Sequence, residues 1–352
     1  MREVPGGVVY RICGVLAVLA GQFCVGSAVD AHDHEVPLRV FLLVPAASGY
    51  TVVDFGALPQ GTAQVIRALN NGGEVVGGAS TGGSSHRAFV LSSTRLERIE
   101  GLPGADYSAA HGINDLGEVV GSSNGPTSVE AFRWTRKEGH QRLSPLPGDN
   151  SSEAFGINSQ GRVVGYSSGP GGAQGVLWTR NGAIQGLGTL PGSTYSRALA
   201  INERGNVVGT SGMSPATRAF RWTPSTGMKD LGMLPGDRES EAVHINGAGD
   251  VVGWSSGPDG IRAVLWSTGA AIEDLGTLPG GKYAYARAIN ARGEVVGFSG
   301  TAHAIRAFLW TRTAGMQDLN SLIPAPPRFV LTEAVAINDQ GLIVTIGSDD
   351  DQ

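Results

Sequence analysis

The sequence predicts an all-β fold: a seven-bladed β-propeller of four-stranded blades, its ring closed by strands from both ends of the chain. Three observations carry this expectation. Asn70, Asn114, Asn158, Asn202, Asn246 and Asn290 stand 44 residues apart, and Asn338 follows 48 residues later. Each opens the same phrase, an Asn, two free positions, a Gly, one free position and a run of aliphatics, as in NNGGEVVG at Asn70 and NARGEVVG at Asn290. A fixed period of this length marks a stack or ring of repeated supersecondary units. Within each period four short β-prone runs are separated by Gly, Asn and Pro turn signals, the pattern of an all-β architecture. Finally, the two ends of the chain each hold half a unit.

Taken in order, residues 1–31 read as a secretory signal: Arg2 and Arg11, an apolar stretch from Ile12 to about Val25, then small residues, with cleavage expected after Ala28 or Ala31. Both cysteines, Cys13 and Cys24, lie in this segment, so the mature chain is expected to hold no thiol, disulfide or cysteine metal site. The propeller is expected over residues 38–347, followed by an acidic tail, 348–352. RVFLLVP (39–45) resembles a third strand and TVVDFGALP (51–59) a fourth. In the unit near Ser196 the four runs are ALAIN (198–202), NVVGTS (206–211), RAFRWT (218–223) and MKDLGML (228–234). The Asn is expected to cap its own backbone two residues on and the Gly to accept positive φ. Pro59, Pro103, Pro147, Pro191, Pro235, Pro279 and Pro327 each lie 11 residues before an Asn; unable to donate to a ladder, they end the fourth strand. Trp134, Trp178, Trp222, Trp266 and Trp310 recur on the third strand as core or inter-blade packing. AVAINDQGLIVTIG (334–347) supplies a first and a second strand, after which the pattern stops. Two strands from each end complete one blade, an arrangement for which an open β-helix, the alternative for this period, has no use.

The phrases RAFLWT…GMQDLN and DLGTLPGG before AxAINxxGxVVG resemble the HAF extracellular-repeat family of bacterial exported proteins, over roughly residues 39–347. GYTVVDFGALPQG looks like that family's usual start, and the order of turn, strand and Leu-Pro is also similar to Kelch blades. Thr345 in place of the Gly ending other second strands, and Val90–Leu91 in place of the Trp, are departures. The resemblance implies secretion and a propeller-like repeat, and no known reaction.

A formal charge of −5 argues against nucleic acid or an anionic membrane as partner. GASTG (78–82), GSSNG (121–125), GYSSG (165–169) and GWSSG (253–257) match the hydrolase pattern Gly-x-Ser-x-Gly, but that pattern needs a helix after the serine. Here it recurs after the second strand as part of the scaffold. No cofactor or metal site is expected, and His32 and His34 are read as a polar terminus.

The informative positions are those where units differ. Five residues before each Asn stand Val65, Ala109, Glu153, Arg197, Glu241, Tyr285 and Glu333, and two residues on stand Arg67, His111, Phe155, Leu199, Val243, Arg287 and Val335. Variable charged and aromatic residues around one that is Ala in six units and Ile66 in the first suit strands lining a shared mouth. Glu153, Arg197, Glu241, Tyr285, Glu333, Arg67, His111 and Arg287 are therefore the candidate binding residues. The competing reading is that they only pair blade to blade. The expectation is an exported, monomeric, non-enzymatic binding module for a glycan or an envelope protein. The alternative is a polysaccharide lyase or glycoside hydrolase using Glu153, Glu241 or Glu333 with Arg197 and Tyr285.

Overall fold

A computed structural model describes residues 38–56, 64–80, 86–93, 95–125, 128–213, 216–324 and 328–349. The expected signal segment, Pro59, Pro327 and the last three residues lie outside them. The described residues form seven four-stranded antiparallel sheets, six of them contiguous in sequence. The seventh has the order Tyr50–Gly56, Arg39–Pro45, Ile343–Asp349, Phe329–Ile337, so its third and fourth strands come from the beginning of the chain and its first and second from the end. Leu42 pairs with Val344 across the seam. First strands of successive blades touch all the way round, including Phe329–Ile337 of blade 7 against Gln64–Leu69 of blade 1.

The core is divided among the junctions. Each of seven apolar clusters draws its members from two neighbouring blades; Trp178, fully buried, lies with Val120, Ala131 and Leu143 of the blade before it. Trp222, Trp266 and Trp310 fill the next junctions in the same way. Leu43, Leu331 and Leu319 share the cluster between blades 6 and 7, which ties the chain's beginning to its end. The recurrent serine of the first strand adds a polar stitch. Ser152 Oγ accepts from Ala131 N at 3.1 Å and donates to Leu143 O at 2.9 Å, both in blade 2.

Three details differ from the sequence expectation. In blade 4 the first strand begins earlier, at Tyr195, and the fourth ends at Asp230 rather than at Leu234. The fourth strand stops because Gly232 takes a φ of 77° and turns the chain away. Leu-Pro-Gly then forms a type II turn: in five blades the residue after the Gly donates to the Leu carbonyl, as Ser193 N does to Leu190 O at 3.0 Å, and Gly192 has a φ of 78°. The final strand also runs through Ser348 to Asp349, into the segment expected as a tail, because the Asp349 carboxylate accepts from Arg39 at 2.7 Å. The extra residues before Asn338 form a short 3-10 turn, Leu319–Leu322, in which Asn320 replaces the serine stitch by exchanging hydrogen bonds with Leu331.

Candidate functional site

The seven asparagines do more than shape their own turns. Each side-chain Oδ1 accepts from the backbone N–H four residues on, at 2.9–3.0 Å. Each Nδ2 donates to the carbonyl of the next blade's asparagine, at 3.0–3.2 Å, from Asn70 to Asn114 and onward until Asn338 donates to Asn70. The result is a closed belt of side-chain hydrogen bonds around one end of the ring, its members only 2–5 % exposed. Only a side chain with both a donor and an acceptor can serve in it, which explains the Asn in every unit. Four of the seven also make the expected bond two residues on.

From the belt the first strands run to the opposite end, the mouth. The residue three before each Asn sits at a register irregularity in every blade, between Ala154 and Gly156 in blade 3 and between Ala286 and Ala288 in blade 6. Such bulges bend a strand and re-aim a side chain. The second-strand Gly lets the strand pass close by. A Cβ on Gly165, Gly209, Gly253 or Gly297 would lie 1.9–2.0 Å from the carbonyl oxygen of Glu153, Arg197, Glu241 or Tyr285 respectively. Blade 7, which carries Thr345 instead, has a second irregularity, between Leu331 and Glu333.

At two junctions the position three before the Asn in one blade meets the position five before the Asn in the next. Both close with ionisable pairs. His111 Nε2 lies 3.1 Å from Glu153 Oε1, and Arg287 Nε donates to Glu333 Oε1 at 2.7 Å. Glu153 is further held by Ser122 Oγ at 3.2 Å and the Tyr166 hydroxyl at 2.8 Å. Burial pushes its carboxyl up, but the hydrogen bond and charge of His111, with the Tyr166 and Ser122 bonds, outweigh it and hold it at about 2. Burial and the Glu153 charge raise the Tyr166 phenol in turn. Ser122, His111 and Glu153 are not a nucleophilic triad: both partners meet the imidazole at the same nitrogen, and Ser122 is 1 % exposed.

At two other junctions the position three before the Asn is apolar, Phe155 in the blade before Arg197 and Leu199 in the blade before Glu241. Among the described residues Arg197 donates no hydrogen bond, and neither Arg197 nor Glu241 joins an ion pair. Arg197 lies over the Tyr166 ring, 5.2 Å from its centroid, with its Nε buried and unbonded. Its cross-strand partner, Thr210, also has a buried, unbonded hydroxyl. Glu241 pairs across strands with Trp254, whose indole is edge-on to Tyr285 at 6.3 Å. Burial raises the Glu241 carboxyl, against the more distant Arg287 and Arg197 charges and the Trp254 indole. Burial likewise pushes the Tyr285 phenol up to about 12, and the ring stacks on Phe298 at 4.8 Å. Arg67 reaches solvent in the mouth but is enclosed by the ring, so desolvation first and the Arg287 charge second lower its pKa, against Glu153 and Glu333.

The eight candidate residues thus share one mouth but divide into two sets. Glu153 with His111, and Glu333 with Arg287, are joined blade to blade, as the competing reading had it. Arg197, Glu241 and Arg67 join no ion pair among the described residues, and Tyr285 stacks on Phe298. The sequence reading did not single out the cross-strand partners Ser122, Tyr166, Thr210, Trp254 and Phe298, which stand eight residues after each Asn. Their signal was the variable position beside the serine of the Gly-x-Ser phrases. The serines themselves are scaffold: Ser123, Ser167 and Ser255 are fully buried and accept from the backbone N–H of Leu102, Leu146 and Leu234. An open cleft of about 430 Å³ lies away from the mouth, lined by Leu102, Pro103, Gly125, Glu130, His140 and Arg142. Its charges are matched, Arg142 to Glu130 at 2.6 Å.

No family model matches the chain, and no curated protein matches it. Among solved structures it is similar to a streptogramin B lyase, with a TM-score of 0.51 and 15% identity over 88% of this chain and 98% of that one. It is also similar to a putative TolB from Agrobacterium tumefaciens, TM-score 0.51 and 10% identity over 90% and 99%. A structure from a study of two prolyl endopeptidases matches with a TM-score of 0.57 and 9% identity, over 84% of this chain and 52% of that one. At such identities the likeness shows a shared propeller fold and carries no activity across.

Proposed function

We propose that this propeller is an exported, non-enzymatic member of the HAF-type repeat proteins that acts as a binding module outside the cytoplasm through the mouth of its ring. The observation that carries the binding reading is the pair Arg197 and Glu241. A half-buried guanidinium without a hydrogen bond and a desolvated carboxylate without an ion pair cost stability. Such a cost is common where function sets the sequence. Export rests on the sequence of residues 1–31 and on the absence of cysteine after Cys24. Among the described residues no helix is long and apolar enough to cross a membrane.

The second reading, a polysaccharide-active enzyme, has one observation in its favour: burial raises Glu241, as suits a general acid. Glycoside hydrolysis, however, uses two carboxyl groups. Glu153 is fixed as an anion by three side-chain partners and Glu333 is bound to Arg287, which leaves Glu241 alone. A ligand screen starting with glycans and envelope components tests the function. Binding without turnover, weakened at least tenfold in Arg197→Ala or Glu241→Ala, supports it. Turnover lost in Glu241→Gln establishes the enzyme instead, and binding indifferent to both alanine variants moves the site away from the mouth.

A further inference from the structure

The uncommitted groups of the mouth are complementary to one another and sit in adjacent blades. Blade 4 offers a cation with spare donors. The terminal nitrogens of Arg197, unlike its Nε, are not fully buried, and they bond to no protein group among the described residues. The hydroxyl of Thr210, the cross-strand partner, is also unbonded but buried from solvent. A guanidinium stacked on one face, here by Tyr166, keeps its planar edge free for the two oxygens of a carboxylate. Blade 5 offers an anion walled by aromatic rings. The Glu241 carboxylate has Trp254 across the strand and Tyr285 of blade 6 beyond it. A carboxylate next to aromatic faces suits an ammonium group, which gains from both. The neighbouring charges are occupied: Glu153 by His111, Tyr166 and Ser122, and Glu333 by Arg287. Arg67 also joins no ion pair among the described residues, but it stands in blade 1, three blades from Arg197. Blades 4 and 5 thus offer one positive and one negative position, side by side and not joined to each other.

We propose that the mouth takes a small zwitterion, its carboxylate on Arg197 and its ammonium on Glu241 against Trp254 and Tyr285. Free amino acids and short peptides with both termini unblocked have this chemistry. The proposal rests on the mouth-binding reading and adds the ligand class to it. It also accounts for the balance of the site, since a purely anionic ligand would meet Glu241 as a like charge, and a purely cationic one would meet Arg197.

Calorimetric titration of the full chain with amino acids, dipeptides and tripeptides tests it, each ligand in three forms: free, N-acetylated and carboxyl-methylated. Uncharged and uronate-containing oligosaccharides form the comparison set. Free zwitterions are expected to bind, and blocking either end should weaken binding at least tenfold. Arg197→Met should bind the free and carboxyl-methylated forms alike, and Glu241→Gln the free and N-acetylated forms alike. Whether peptides outdo amino acids identifies the source of the zwitterion. Zwitterions that bind with no dependence on either charge overturn the proposal, and the blocked ligands establish this on the unmodified protein even if a variant fails to fold. If uronate glycans bind through Arg197 and zwitterions do not, the ligand class falls while the mouth reading stands. If no ligand responds to either variant, both fall.

Discussion

Replacing Asn202 by Asp separates the hydrogen-bonded belt from the turn that each asparagine also shapes. The carboxylate keeps the acceptor that Asn206 N uses at 3.0 Å and Arg204 N at 3.1 Å, so a role confined to the turn predicts little change. It loses the donor that reaches Asn246 O at 3.0 Å and sets a carboxylate oxygen against that carbonyl, at a site 5 % exposed. The Asn246 carbonyl still accepts from Gly249 N at 3.1 Å, so it is not orphaned; the larger cost is the unpaired, desolvated charge. Loss of one buried hydrogen bond, about 1 kcal/mol, plus a buried repulsive contact, about 1–3 kcal/mol, gives a destabilisation of about 2–4 kcal/mol at neutral pH. Burial beside a carbonyl raises that carboxyl's pKa in the folded protein, and protonation restores a donor, so the deficit should shrink as pH falls toward the ordinary carboxyl range. Asn202→Ala, which drops the acceptor and the donor together, should cost about 2–3 kcal/mol independent of pH. Urea denaturation from pH 4 to 8 reads both. An Asn202→Asp protein as stable as the parent at pH 7 would refute the belt.

Two further outcomes follow from the seam and from the mouth. Removing residues 38–56 deletes two strands of blade 7 and leaves Ile343–Asp349 as an open edge, so the truncated chain should aggregate or melt far below the parent by calorimetry; parent-like melting would contradict the two-plus-two closure. Glu153, held at about 2 against an ordinary 4.5, binds its proton more weakly folded than unfolded. Its contribution is therefore complete above about pH 4.5 and lost as pH falls toward 2. At about 1.4 kcal/mol per pH unit it amounts to at most about 3.5 kcal/mol. The stability gap between parent and Glu153→Gln, followed by denaturant titration, should be widest near pH 6 and close toward pH 2.

Much of this architecture was legible because it repeats. The Asn period, the Trp on the third strand and the half-units at the ends gave blade number and closure, since each reflects a constraint imposed identically at every junction. The belt was not read in advance because its acceptor is a backbone carbonyl 44 residues away, and nothing in a single phrase points there. For the mouth, comparing the units at the position five before each Asn found Glu153, Arg197 and Glu241. It could not show that Glu153 would be tied down while Arg197 would not, because that depends on His111 standing where blade 3 has Phe155 and on Tyr166 standing where blade 4 has Thr210. Pairing across a junction combines two offsets in different blades, visible only once the bulge sets which residues meet. The ends of the fourth strands were misjudged for a local reason: the run MKDLGML looks continuous, but Gly232 takes positive φ and stops the ladder.

The account turns on the division of the mouth into charges that hold blades together and charges kept for a ligand. Melting temperatures of Arg197→Leu and Glu333→Gln, taken side by side without ligand, test that division most directly. Glu333→Gln removes the carboxylate on which Arg287 Nε rests at 2.7 Å, in a pair with both side chains under a third exposed, and should lower stability by about 1–3 kcal/mol. Arg197→Leu gives up a contact with the Tyr166 ring, about 0.5–1 kcal/mol, and relieves a buried nitrogen without a partner, about 1–3 kcal/mol. Its melting temperature should equal or exceed the parent's. Equal losses in the two variants would show that Arg197 belongs to the scaffold and would contradict the account.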